Sequence, residues 1–471
     1  MQWSRRFGAA SWIAIFAPLG GCATVGPDYA APRLETPASF SGAPTEAPET
    51  MAAPWWRTFR SDTLNSLILE GFSASPTVNE ADAALDRARA ARDAAFGGAF
   101  PELRLAARAE DARINATTFG FGAFPTREIS RYSTSAGVSY DLDLFGGQRR
   151  AREAALAQLD AESFRRSAAY LTLAADIATA AVELAVVNEE IAALERIIAD
   201  DEDVLRLTQR AVAAGSVGEI DRIRAETQLR QDAAVLPRLH GRRAGIETQL
   251  TVLTGRMPGL APLSFRFTLS DFSTPDVPVS IPSELLRSRP DILAAEAALH
   301  AATAQIGVRI ADQFPQIRLS GNLTQTALDP ANLFARSSTG WAFGPELSLP
   351  IFRGGTLRAR VREAEAEARM AEARYRATVL RAFGQVTNAY ADVEAAQGEY
   401  EAQQEALLLA EQSARLARRA YEVGAGTLPD VLDSQRRASL SRRESARAAG
   451  ARLIALVRLH SAVAASSVLD D

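Results

Sequence analysis

One plan appears twice in this chain, and that limits what it can fold into. Residues 76–105 (PTVNEADAALDRARAARDAAFGGAFPELRL) align without a gap on 290–319 (PDILAAEAALHAATAQIGVRIADQFPQIRL), with eleven of thirty positions identical. Five of these are Ala in an Ala-rich chain, so the weight rests on Pro76/Pro290, Leu85/Leu299, Phe100/Phe314, Pro101/Pro315, Arg104/Arg318 and Leu105/Leu319. The match continues in LFGGQRRAREAALAQ (144–158) with IFRGGTLRARVREAE (351–365), and in RAVAAGSVGEID (210–221) with RAYEVGAGTLPD (419–430). Gly215 precedes Asp221 by six residues, as Gly424 precedes Asp430. A duplication of about 210 residues accounts for all three matches. It divides the chain into a first repeat at 61–256, a Pro- and Ser-rich linker at 257–285, a second repeat at 286–466 and a tail at 467–471.

Each repeat reads as a helix, two strands, a very long helix, a turn and a returning helix. The strands alternate with period 2. In RYSTSAGVSYDLDLF, Tyr132, Thr134, Ala136, Val138, Tyr140, Leu142 and Leu144 share one face, and Arg131, Ser133, Ser135, Ser139, Asp141 and Asp143 the other. ELRLAARAE sets Leu103, Leu105, Ala107 and Ala109 opposite Glu102, Arg104, Arg108 and Glu110. IRLSGNL and GWAFGPELSLPIF repeat the pattern, the latter with Trp341, Phe343, Leu347, Leu349 and Ile351 on its apolar side. Such strands suit a half-buried antiparallel sheet, or a barrel wall with lipid on one face and water on the other. Four strands cannot close a barrel alone, since the smallest membrane barrels have about eight. The barrel reading therefore requires several chains.

From Gln148 to Ala213 no Pro interrupts the sequence, a helix about 100 Å long at 1.5 Å per residue. Leu184, Val187, Ile191, Leu194, Ile198 and Leu205 recur at spacings of three, four and seven, a coiled-coil seam. Gly355–Val423 matches it in the second repeat. The returning helices (219–256 and 428–466) and the lead-in helices (75–98 and 288–313) together match one long helix in length, which suggests end-to-end stacking into a rod.

The N-terminus reads MQWSRRFGAASWIAIFAPLGGC: Arg5 and Arg6, a short apolar run, then small residues before Cys22, the one cysteine in 471 residues. This is the form of a secretory signal peptide at 1–21. Cys22 is either a small buried hydrophobe or a lipid attachment site ending a tether at 22–60. A single cysteine excludes disulfides within the chain and Cys-ligated metal centres. No run after residue 22 reads as long enough for a spanning helix, so a membrane crossing would fall to strands. All 52 basic residues are Arg; without Lys there is no Walker A loop and no Schiff base. The net charge of −5, with no basic block, argues against nucleic acid. His240, His300 and His460 are isolated, and no cofactor, metal or catalytic constellation is legible.

Several stretches resemble the TolC-like outer membrane factors, in the lipoprotein branch that includes OprM and NodT. They are LGGC followed by VGPDY, WWRTFRSDTLNSLI, LRSRPDILAAEAALHAATAQIG, FPQIRL, WAFGPELSLPIFRGG and AYEVGAGTLPDVLDSQR. The resemblance implies an α+β homotrimer: four strands per chain form one 12-stranded barrel in the outer membrane, continued by a periplasmic helical tunnel. It implies acylation of Cys22 and contact with outer membrane lipids. The partners it implies are a periplasmic adaptor and an inner membrane resistance-nodulation-division pump.

Carried onto this chain, the resemblance puts Asp430 and Asp433 in acidic rings at the narrow end of the tunnel. Such rings attract cations when ionised. Three apart, the two share a helix face; the plainer reading is a solvated helix start whose carboxylates favour the positive end of the dipole. Tyr421 and Arg436 match positions that link neighbouring helices and hold the entrance shut, while Gly426 stands where TolC has an Arg. The turns at Gly215, Val217 and Gly218 and at Gly424, Gly426 and Thr427 would meet the adaptor, and their glycines also suit helix C-caps. The acidic run DDED (200–203) reads as a solvated face. The expected function is an exit duct for small toxic compounds. The alternatives are a duct for protein secretion of type I and, from another class, a non-channel periplasmic coiled-coil scaffold.

Overall fold

The computed structural model describes residues 24–42, 54–114, 127–260 and 266–464. Cys22, the expected signal peptide at 1–21 and the tail at 467–471 lie outside them. The chain order is α1 (Asp62–Ala74), α2 (Pro76–Gly97), β1 (Glu102–Ile114), β2 (Arg127–Leu142), α3 (Gly147–Ala213), α4 (Glu219–Ala233), α5 (Leu236–Leu253), α6 (Pro282–Ser288), α7 (Pro290–Ala311), β3 (Gln316–Ala327), β4 (Thr339–Ser348), α8 (Thr356–Glu422) and α9 (Leu428–Val463). The described residues form two compact units, one from 24–32, 87–114, 127–159 and 297–373, the other from the remaining described residues.

The first unit holds one antiparallel sheet, ordered β1-β2-β3-β4. Its register joins the apolar faces expected from each strand. Leu105 pairs with Ala136, Ala136 with Leu323, and Leu323 with Trp341. Directly opposed residues point to the same side, so this row and its neighbours make one apolar face. That face is bare: Leu103 is 72% exposed, Leu105 76%, Trp341 80% and Phe343 73%. The reverse face is polar, with Arg131 donating to Glu110 at 2.6 Å and Arg318 to Asp141 at 2.6 Å.

Residues 24–29 cross the turn between β2 and α3. Val25 N–H bonds Phe145 O at 3.1 Å, and the Arg150 guanidinium bonds Val25 O, Gly26 O and Asp28. Gly26, at φ +92°, lies so near Gly307 that a Cβ would come within 2.4 Å of its Cα. Tyr29 stacks on His300 at 4.4 Å, and His300 pairs with Glu153 at 3.0 Å.

The second unit has the main core. Ile177, Ala178, Ala181, Leu184, Ala185, Val187 and Leu194 of α3 are buried, with Trp55, Phe59, Leu64, Ile68, Leu250 and Leu456 around them. By length and composition one window of α3 could cross a membrane, which the sequence reading had excluded for every segment past residue 22; 67% of it is buried inside the protein, the signature of a core helix. Small residues set the spacing: at Gly450 of α9 a Cβ would sit 2.0 Å from Val186 Cγ2. Glu190, fully buried, bonds Arg447 and lies 3.6 Å from Arg242.

Both long helices match expectation to within a residue or so. The first returning helix is instead two, α4 and α5, because Pro237 in the first turn of α5 cannot donate to the carbonyl four residues earlier. Each lead-in helix is preceded by another, α1 or α6. Ser61 caps α1, receiving Leu64 N–H at 3.4 Å. The stretches read as tether and linker are packed where described. Phe40, Trp55 and Phe267 are buried, Asn188 holds Phe267 O at 3.0 Å, and Tyr390 donates to Pro278 O at 2.8 Å.

His460 is buried edge-on to Phe59, with Nε2 at 3.2 Å from Asp276 O, and burial pushes its pKa down to about 4. An unfolded imidazole titrates near about 6.5, so between these values the unfolded chain binds more protons and stability falls as pH drops. The loss is on the order of 3 kcal/mol below pH 4. His460→Gln should flatten the acid side of a melting-temperature-against-pH curve. Gly450→Val should cost about 1–3 kcal/mol in chemical denaturation. Gly398→Ala, where a Cβ meets nothing within 4 Å, should be neutral or gain up to about 1 kcal/mol.

Candidate gate at the hairpin turns

The two six-residue spacings from Gly to Asp have one structural cause. α3 ends with Gly215 at φ +72° and α8 with Gly424 at φ +74°, left-handed positions that glycine takes without a Cβ clash. Ser216 N–H bonds Ala211 O at 3.0 Å and Gly215 N–H bonds Val212 O at 2.9 Å; Ala425 and Gly424 repeat this to Ala420 O and Tyr421 O. These bonds satisfy carbonyls that a helix end otherwise leaves open. The next helix then starts at once. Asp221 accepts Gly218 N–H at 3.3 Å, and Asp430 accepts Thr427 N–H at 3.2 Å and its hydroxyl at 2.5 Å. The glycine closes one helix and the aspartate opens the other.

Asp430 is therefore engaged at the start of α9, and the bonds from Thr427 hold its pKa below the usual carboxylate value. It is exposed and does not line the adjoining cleft. Asp433, one turn on, is exposed, pairs with Arg437 at 2.8 Å and does line it. Gly426 makes the turn tight: its N–H bonds Ala420 O at 3.1 Å, and a Cβ would come within 3.2 Å of Ala420 Cβ.

The cleft has a volume of about 550 Å³ and is bounded by α3, α4, α8 and α9. It brings together Val217, Tyr421, Thr427, Asp433 and Arg436 of the residues expected from sequence, and leaves out Gly215, Gly218, Gly424, Gly426 and Asp430. It also gathers Asp201, Asp221, Arg224, Gln228 and Asp232, none of which the sequence marked as a site residue. Asp201 belongs to the acidic run expected to be a solvated face, and its neighbours Asp200, Glu202 and Asp203 are exposed. Asp201 is not. It shares a helix face with buried Ile197, Val204 and Thr208, a phase visible in the sequence at spacings of four, three and four. Burial first, then the facing Asp232 carboxylate, push its pKa up to about 7, while Arg436 pulls the other way.

The outer membrane efflux protein family model matches residues 70–256 and 281–465. The chain belongs to this family. It is 31% identical over 436 residues to nodulation protein T of Rhizobium leguminosarum bv. trifolii, covering 91% of each chain. It is 29% identical over 427 residues to the toluene efflux pump outer membrane protein TtgC of Pseudomonas putida, covering 89% of this chain and 87% of the relative. Among solved structures, the outer-membrane channel OprN superposes with a TM-score of 0.83 at 29% identity, covering 94% of this chain and 99% of that one. The fold is that of the TolC-like outer membrane channels, and the protein is an outer membrane efflux protein. Members of this family are channels rather than enzymes.

The capping geometry is testable apart from any pore. Asp430→Ala and Asp221→Ala should each speed amide exchange several-fold in the first turn of α9 or α4, while Asp433→Ala leaves it unchanged. Hydrogen–deuterium exchange read by mass spectrometry distinguishes these outcomes.

Proposed function

We propose that this protein is the outer membrane exit duct of a tripartite efflux system, passing small toxic compounds outward from a periplasmic adaptor and an inner membrane resistance-nodulation-division pump. The observation that carries this is the sheet of the described residues: four strands of 10 to 16 residues with a bare apolar face, a polar reverse face and two outer edges, at β1 and β4, that no other described strand pairs. About 9–11 residues span a bilayer as a tilted strand. A lipid interior supplies no partner for an open edge, so the sheet must close. Joining β4 of one copy to β1 of the next closes it; three copies give the 12 strands that the resemblance implies.

Further features support the same reading. On α8, Leu409 and Leu416 are exposed seven residues apart, and Val423 just past its end continues the spacing, a seam that wants another helix, which a second copy supplies. Val25, three residues beyond Cys22, is fixed at the turn after β2. An acyl anchor on Cys22 then enters the bilayer beside the sheet. The family model matches in two stretches, in line with the duplication proposed for this chain.

At the hairpin turns we assign Asp433 and Asp430 to a ring that favours cations, Arg436 and Tyr421 to the gate, and the tips at Gly215, Val217, Gly218, Gly424, Gly426 and Thr427 to adaptor contact. The relative named for a toluene efflux pump favours small molecules as cargo over secreted proteins. Asp433→Ala with Asp430→Ala should weaken cation preference in planar bilayers, and an unchanged selectivity removes the ring. In cells, deleting the gene should slow efflux of preloaded ethidium and the intact sequence should restore it. If efflux stays normal and secreted proteins are lost instead, the duct belongs to secretion. Cys22→Ser separates the anchor from the barrel: normal efflux means that the strands suffice.

A further inference from the structure

The cleft contains a carboxylate pair for which the gate assignment has no use. Asp201 on α3 has its Oδ2 buried without a hydrogen-bond donor. Asp232 on α4 lines the same cleft, and its carboxylate acts on that of Asp201. Asp232 in turn receives Gln228 Nε2 at 2.6 Å. Two ionised carboxylates offer each other only acceptors, so the missing donor is a proton. Other charges around the cleft are Asp200 from α3, Asp221 and Arg224 from α4, and Asp433 and Arg436 from α9; the Tyr421 phenol of α8 completes it. Asp433 is paired with Arg437 and Asp221 with Arg224. Arg436 is the cation that acts on Asp201, and it sits on the opposite hairpin.

We propose that Asp201 and Asp232 share a titratable proton that sets how strongly Arg436 ties the α8–α9 hairpin to the α3–α4 hairpin, making this end of the chain a pH-dependent latch. The inference deepens the gate reading and rests on it. With both carboxylates ionised, Arg436 meets two negative charges and the hairpins are held together. With the proton bound, it meets one, and the carboxyls satisfy each other across α3 and α4. The value of about 7 for Asp201 places the change in the neutral range. An acid whose folded pKa is raised keeps its proton in the folded state after the unfolded chain has lost it. Rising pH therefore strains the α3–α4 contact while strengthening the link to α9, and falling pH relaxes both.

The test is conductance of the purified protein in planar bilayers between about pH 8 and about pH 5.5. Conductance should rise several-fold on acidification with a midpoint near neutrality. Asp201→Asn, which fixes the pair at a single charge, should conduct at the acid level throughout, and Arg436→Gln should do the same. A flat wild-type profile, or an Asp201→Asn profile that keeps the wild-type midpoint, overturns the latch. Amide exchange in the first turns of α9 on the same samples separates the two readings. Exchange that loosens below neutral pH in wild type but not in Asp201→Asn supports the latch even where no conductance forms, and that absence counts against the duct. Should Asp201→Asn fail to fold, infrared titration of the wild-type carboxyl band decides. A protonated carboxyl lost near neutral pH sustains the shared proton, and its loss below about pH 5 refutes it.

Discussion

A sheet with one apolar face and two open edges is an unfinished object, and most of this protein can be read as the means of finishing it. Backbone N–H and C=O groups demand partners wherever water is absent. Among the described strands, none pairs with the outer edge of β1 or of β4. Residues such as Trp341 and Phe343 would be a liability on any surface facing water. The proposed closure across copies would meet both demands at once. It would also give the paired charges on the reverse face, such as Asp141 with Arg318, a wet lumen to line.

The helical unit solves a different problem, how to turn two long helices back without exposing their ends. A left-handed glycine closes each one, and an aspartate six residues later opens the next. This leaves the tips short and well determined. It also commits Asp430 to local bonding, so of the two carboxylates assigned to the ring Asp433 is the one facing the cleft. The proposed latch involves other residues, Asp201, Asp232 and Arg436, which line the same cleft.

Much of this was legible in the sequence, because period-2 alternation and Pro-free length are local signals. The apolar faces of all four strands were readable residue by residue, and the register brought them to one side. The break at Pro237 was visible in principle but masked by continuous helical patterning on either side. α1 and α6 escaped notice because they are short and each ends just before a proline, Pro76 or Pro290, that reads as the start of a longer helix. Asp201 was hidden by its company, since four acidic residues in a row look solvated although one shares the phase of Ile197 and Val204. Arg150 holding residues 25–28, more than a hundred positions away, is a contact that no local pattern announces.

The most direct measurement is the copy number of the intact protein extracted from outer membranes in mild detergent, taken by native mass spectrometry. Closure of this sheet into a barrel calls for three copies that stay together without cross-linking. A population of single chains that remains folded, with its sheet intact, would contradict the account.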